Sequence, residues 1–221
     1  MFALCALAYL GGCVTPGDEG PEVDVARTWQ NAERHVPEVE NPPVVVFLHG
    51  CSGITSTNQH WARLLRAAGY LVILPDSFSR RSRIADCDPS GYRGQRNPGT
   101  LVDRAEEAGY AASQLQKLRA PKRILMGHSE GGLAVQFWMG IEGYDAAIIS
   151  GTSCNRITLP HNLPTLIIRY ESDPWDSSPH QCRYWASERG KTQLHLVPGV
   201  GHDPAFDAGT QRRVLEFLKS L

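Results

Sequence analysis

A chain of 221 residues, 42% apolar and 20% charged, can bury one core of ordinary size, and neither length nor composition suits two domains or a disordered protein. Its net charge of −1 leaves no field that would draw it to nucleic acid or to an anionic membrane surface. With 21 glycines and 15 prolines, many sharp turns between short elements are expected.

The chain starts with an uncharged apolar run, MFALCALAYLGGCV, too short to span a bilayer as a helix. It reads as the apolar region of a secretory signal without the usual basic start. Leu10-Gly11-Gly12-Cys13 resembles a bacterial lipobox. On that reading residues 1–13 are a signal segment, and lipidated Cys13 tethers an extracytoplasmic protein, periplasmic or membrane-anchored. The alternative is a buried first strand of a cytoplasmic protein. Residues 14–41 are polar and rich in Pro, Gly and Glu, and read as a linker plus a poorly formed entry segment.

From residue 42 onward a single domain is predicted. Val44–Leu48 is an unbroken apolar, β-branched run, as in strands buried on both faces. Leu71–Pro75, Arg123–Met126, Ala146–Ile149 and Thr165–Ile168 follow the same pattern, and Thr192–Val197 alternates like an edge strand. Helices are predicted over Asn58–Ala68, Leu101–Leu118, Leu133–Met139, His180–Arg189 and Thr210–Leu218. Strand and helix alternate, so the fold class is α/β, with a mostly parallel central sheet and helices on both faces.

Six cysteines are present. With Cys5 in the signal and Cys13 lipidated, Cys51, Cys87, Cys154 and Cys182 remain, and four cysteines allow three pairings. No C-x-x-C spacing suggests zinc, whereas disulfides suit an oxidising compartment. Cys51 and Cys87 lie in loops after neighbouring strands, as do Cys154 and Cys182, and these two pairs are predicted.

After the strand containing Ile124-Leu125-Met126 comes Gly127-His128-Ser129-Glu130-Gly131-Gly132, a G-x-S-x-G match set between a strand and a helix. Glycines permit the tight turn that lifts a serine hydroxyl clear of a sheet, and the following helix favours negative charge near its start. Ser129 is the candidate nucleophile. Serine needs a base, and His202, in a glycine-rich loop between the last strand and last helix, is better placed than His195, His128, His60 or His180. That base needs a carboxylate, and Asp173, after the Leu166–Ile168 strand, is favoured over its loop neighbours Asp176 and Glu171 and over Asp203. The oxyanion donors are the N–H groups of Glu130 and of Cys51, in His49-Gly50-Cys51-Ser52-Gly53, with His49 bracing the loop.

The His49-Gly50 pair, the elbow at 127–131 and the loops of Asp173 and His202 together resemble α/β-hydrolases. Among them the chain looks most like the small, lidless dienelactone hydrolase family, in which a segment similar to Asp76-Ser77-Phe78 is common. The resemblance covers residues 42–221 and implies hydrolysis of small esters or lactones without metal or cofactor. Two departures stand out: Ser129 occupies the position of that family's cysteine nucleophile, and Tyr170 stands where the family often has glycine. The serine points to a general esterase. Alternatives are a peptidase or amidase, with Glu130 holding an amino terminus, and a non-catalytic binding lipoprotein.

One long connection, residues 79–98, holds Arg80, Arg81, Arg83, Arg93 and Arg96 against Asp86 and Asp88. It leaves the carboxyl end of a buried strand, where ligands bind in open α/β sheets. Arg80, Arg81 and Arg93 are candidate contacts to an anionic substrate, and the alternative is a solvated loop whose arginines pair with its own aspartates or with surface acids.

Overall fold

The computed structural model describes residues 21–81, 83, 87–88, 93–94, 98–138, 142–155, 157–175 and 179–221. The signal segment, Cys13, Asp86, Arg96 and Asp176 lie outside the described residues, as do the side chains of Asp88 and Arg93.

Strands β1 (Glu33–His35), β2 (Val44–Leu48), β3 (Leu71–Leu74), β6 (Arg123–His128), β7 (Ala146–Ser150), β8 (Thr165–Ser172) and β9 (Thr192–Val200) form one sheet; the short β4 (Cys87–Asp88) and β5 (Arg93–Gly94) pair separately. The main order is β1-β3-β2-β6-β7-β8-β9, parallel except for β1. The helices are α1 (Pro21–Gln30), α2 (Ser56–Ala67), α3 (Pro98–Leu115), α4 (Glu130–Phe137), α5 (His180–Glu188) and α6 (Ala208–Lys219).

The strand pattern divides the core into two layers, because successive side chains point to opposite faces. Val44, Val46 and Leu48 of β2 pack with Leu125, Ile149 and Ile167 toward α3 and α4. Val45 and Phe47 pack with Ile124, Met126, Ile148 and Leu166 toward Trp61 and Leu65 of α2 and Val214 and Phe217 of α6. Every residue of β2 and β7 is buried, as unbroken apolar runs predict.

The linker expected over residues 14–41 needs correction. Residues 21–35 contain α1, which packs on α3, and β1, which pairs antiparallel with β3 in the register Glu33 to Leu74. The domain therefore includes this segment. Its three-residue strand carries only charged and imidazole side chains, so backbone pairing, not a buried face, holds it. At the far edge, β9 runs three residues past the expected Val197, through Pro198, and Val200 is 75% exposed.

Two disulfides are present, Cys51–Cys87 and Cys154–Cys182, the pairing expected from chain position. Cys154 and Cys182 belong to the α3/α4 core layer, whereas Cys51 and Cys87 are only half-buried. No helix among the described residues is long and apolar enough to cross a membrane.

Candidate active site

The turn from β6 to α4 is built by what its glycines leave out. A Cβ on Gly127 would meet the Gly131 carbonyl oxygen at 2.2 Å, and one on Gly131 would meet the Leu48 carbonyl oxygen at 2.2 Å. Gly132 is less tightly placed but still close, since a Cβ there would come within 2.9 Å of the Ser150 carbonyl oxygen. This contact lets α4 start directly against the sheet. Ser129, between strand and helix, has φ 55° and ψ −118°, a conformation costly for any residue with a Cβ. Its N–H donates to the Ser150 carbonyl on β7 at 2.9 Å, anchoring the turn.

The Ser129 hydroxyl meets His202 Nε2 at 2.9 Å. Nδ1 of the same ring lies 2.9 and 3.0 Å from the two carboxylate oxygens of Asp173. Asp173 is 2% exposed and also accepts the Trp175 N–H at 2.9 Å. The three expected residues, from the loops after β6, β8 and β9, thus form one hydrogen-bonded line. Their side chains meet although they lie 73 and 29 positions apart.

The rivals are engaged elsewhere. Asp203 caps a short 3-10 turn through the Ala205 N–H at 3.1 Å and accepts a hydrogen bond from the Thr57 hydroxyl of α2. Glu171 pairs loosely with Arg183, 3.8 Å away at the surface. His195 faces Asp207 at 4.0 Å, and the His60 ring packs on Phe206. His128 is buried 5.1 Å from the His202 ring, with Nδ1 3.2 Å from the Ser150 hydroxyl. Burial foremost, and then the neighbouring His202, lower its pKa to about 4, so His128 is neutral at pH 7.

Tyr170, where glycine was the expectation from resemblance, has its own function in the fold. Its ring lies against Gly201, where a Cβ would stand 2.7 Å from the ring edge. The Gly201 N–H donates to the Ser172 carbonyl at 3.0 Å. These contacts clamp the residue just before His202 to the end of β8, directly before Asp173.

Gly50 follows β2 and touches the elbow: its Cβ would lie 3.3 Å from Ser129 Cβ and 3.8 Å from the hydroxyl. Gly50, the residue before Cys51, and Glu130, the first residue of α4, are thus the neighbours of Ser129. The His49 ring is buried, with Nδ1 2.7 Å from the Gly50 carbonyl, and Nε2 accepts the Ser77 N–H at 3.1 Å. Its pKa is well below the ordinary histidine range, chiefly through burial and then through Arg104, consistent with a neutral ring.

Of the candidate anion contacts, Arg80 needs correction. Arg80 turns inward, its side chain 5% exposed, and meets Glu106 at 2.9 Å, Asp24 and Asp103 at 3.3 Å and Glu107 at 3.9 Å. A guanidinium satisfied by four carboxylates offers nothing to a substrate. Arg83 is likewise buried, 2.5 Å from Glu130. Arg81 is exposed, and its backbone N–H donates to Asp24 at 3.0 Å. Glu130, which the peptidase alternative has holding an amino terminus, lies between Arg83 and Arg104, the latter 3.4 Å away. Arg104 of α3, fully buried, was missed by sequence reasoning.

The sequence matches no family model and no curated protein. Its fold, in contrast, has many solved counterparts. Est1E from Butyrivibrio proteoclasticus is 16% identical, with a TM-score of 0.61 over 86% of this chain and 93% of that one. A lidless α/β serine hydrolase from Xanthomonas campestris is 14% identical, with a TM-score of 0.62 over 86% and 88%. A candidate dienelactone hydrolase from Klebsiella pneumoniae is 16% identical, with a TM-score of 0.63 over 85% and 92%. The chain has the α/β-hydrolase fold.

Proposed function

We propose that this protein is a serine hydrolase that cleaves a small ester or lactone through an acyl-enzyme. The observation that carries the reading is the line from Ser129 through His202 to Asp173, standing on a turn that strains Ser129. His202 Nε2 takes the hydroxyl proton as Ser129 Oγ attacks the carbonyl carbon, and Asp173 holds the Nδ1 proton and stabilises the imidazolium. Negative charge gathers on the former carbonyl oxygen, where the Cys51 and Glu130 N–H groups receive it. The imidazolium then protonates the leaving alcohol, and water repeats the sequence to release the acid and restore Ser129.

An ester is favoured over a peptide because Glu130 is occupied by two arginines and cannot hold an amino terminus. Arg80 and Arg83 are paired to carboxylates and are not proposed as substrate contacts. A binding protein without chemistry would not need a strained serine next to a base. Est1E has been solved with ferulic acid bound, so aromatic acid esters belong in the substrate panel. Two disulfides favour an oxidising, extracytoplasmic compartment, with lipidated Cys13 as the proposed tether.

The test is labelling by a fluorophosphonate probe together with hydrolysis of nitrophenyl esters of graded acyl length. Label and turnover are expected in the parent and absent after Ser129→Ala. His202→Ala and Asp173→Ala each lower kcat by roughly 10³-fold or more, with the Asp173 change mildest. Turnover that survives Ser129→Ala refutes the assignment.

A further inference from the structure

The proposed site has two N–H donors on separate elements, and a single buried side chain touches both elements. Arg104 projects from α3 and is 0% exposed. Its Nη2 donates to the His49 carbonyl, its Nη1 lies 2.9 Å from Glu107, and its Nε is 3.4 Å from Glu130. Glu107 is itself buried and accepts the Ser77 hydroxyl at 2.6 Å, while the Ser77 N–H donates to the His49 ring.

The peptide plane makes this network matter for the donors. The Gly50 carbonyl and the Cys51 N–H share one planar trans unit and point in opposite directions. The Gly50 carbonyl is held by His49 Nδ1 at 2.7 Å and by the Gly53 N–H at 3.2 Å, which sets the direction of the Cys51 N–H. Arg104 fixes the peptide unit before it, through the His49 carbonyl. On the other side, Arg104 and Arg83 hold the side chain of the residue that owns the second N–H, Glu130.

We infer that Arg104, with Glu107 and Glu130, is a positioning device that sets the oxyanion hole by fixing both its donor segments to α3. This inference rests on the serine hydrolase reading above. Arg104 touches no reacting atom. It acts through the spacing of two N–H groups.

The experiment compares hydrolysis of an ester with that of its thionoester in parent, Arg104→Lys, Glu130→Gln and Arg80→Gln proteins. Sulfur is a poorer acceptor than oxygen, so a well-set hole favours the ester strongly, and a loosened hole favours it less. Arg104→Lys keeps the charge and loses the fork; Glu130→Gln keeps the shape and loses the charge, and it serves if the lysine variant does not fold. Both are expected to lower ester kcat roughly 10–100-fold, with KM within about 3-fold, and to reduce the ester preference about 10-fold. Arg80→Gln, whose side chain reaches this device only through a 3.9 Å contact with Glu107, is expected to lower the melting temperature and leave the preference unchanged. An unchanged preference in both Arg104→Lys and Glu130→Gln, with an active parent, overturns the inference alone. A parent whose turnover does not depend on Ser129 overturns the functional reading and this inference with it.

Discussion

Removing each disulfide in turn separates stability from activity. Cys51 and Cys87 are 36 positions apart, and Cys154 and Cys182 are 28 apart. By the loop-entropy relation these lengths correspond to about 3.8 and about 3.6 kcal/mol of stabilisation. The near equality is the useful point, because the two bonds sit in different places. Cys154 and Cys182 are fully buried, so alanines there also leave a small cavity, and this pair loses at least as much stability as the other. Cys51→Ala/Cys87→Ala loosens the segment that carries the proposed oxyanion donor. Both double variants should melt about 8–15 °C below the parent, from roughly 2–4 °C per kcal/mol at this chain length. In ester hydrolysis at 25 °C the Cys51/Cys87 variant should lose about tenfold in kcat. That loss is smaller than the ~10²-fold or more for deleting a donor, because His49 and Gly53 still hold the Gly50 carbonyl. The Cys154/Cys182 variant should stay within about twofold of the parent, since its cysteines touch no donor segment. Urea unfolding and initial rates on the same preparations provide both numbers. Equal activity in the two variants refutes the coupling of Cys51 to the site; an unchanged unfolding midpoint in either refutes the loop argument.

Two further outcomes are expected. His128 is neutral when folded, with a pKa of about 4, and it titrates near 6.5 when unfolded. Its contribution to stability is therefore fully present above pH 6.5 and is lost as pH falls toward 4, by about 2 kcal/mol between pH 7 and 5. Parallel pH–stability curves for the parent and His128→Asn would refute this. Gly131→Ala should destabilise the protein by about 3–5 kcal/mol or prevent folding, because its Cβ would stand 2.2 Å from backbone that cannot yield. A normal melting curve for that variant would mean the elbow is looser than described.

The sheet was legible because a strand buried on both faces has to be apolar throughout, and Val44–Leu48 and Ala146–Ser150 are so over nearly their whole length. The positions of Ser129, Asp173 and His202 could be read because parallel strands bring their following loops to one end of the sheet. The segment 21–35 was not legible, since a three-residue strand of Glu33, Arg34 and His35 pairs by backbone alone and carries no apolar signature. The destinations of Arg80, Arg83 and Arg104 were hidden for a different reason. Composition reveals charges and not partners, and Asp24, Glu107 and Glu130 reach these arginines from three helices. For Arg80, a local excess of arginine hid the acids that reach it from outside its own loop.

The margins of the sheet bear on how the molecules behave in company. A free strand edge is an invitation for another chain to add on, and long apolar edges are where aggregation starts. Here one margin is the three-residue β1, and the other, β9, carries Pro198, which has no N–H to offer. Strand addition is thus discouraged on both sides of the sheet.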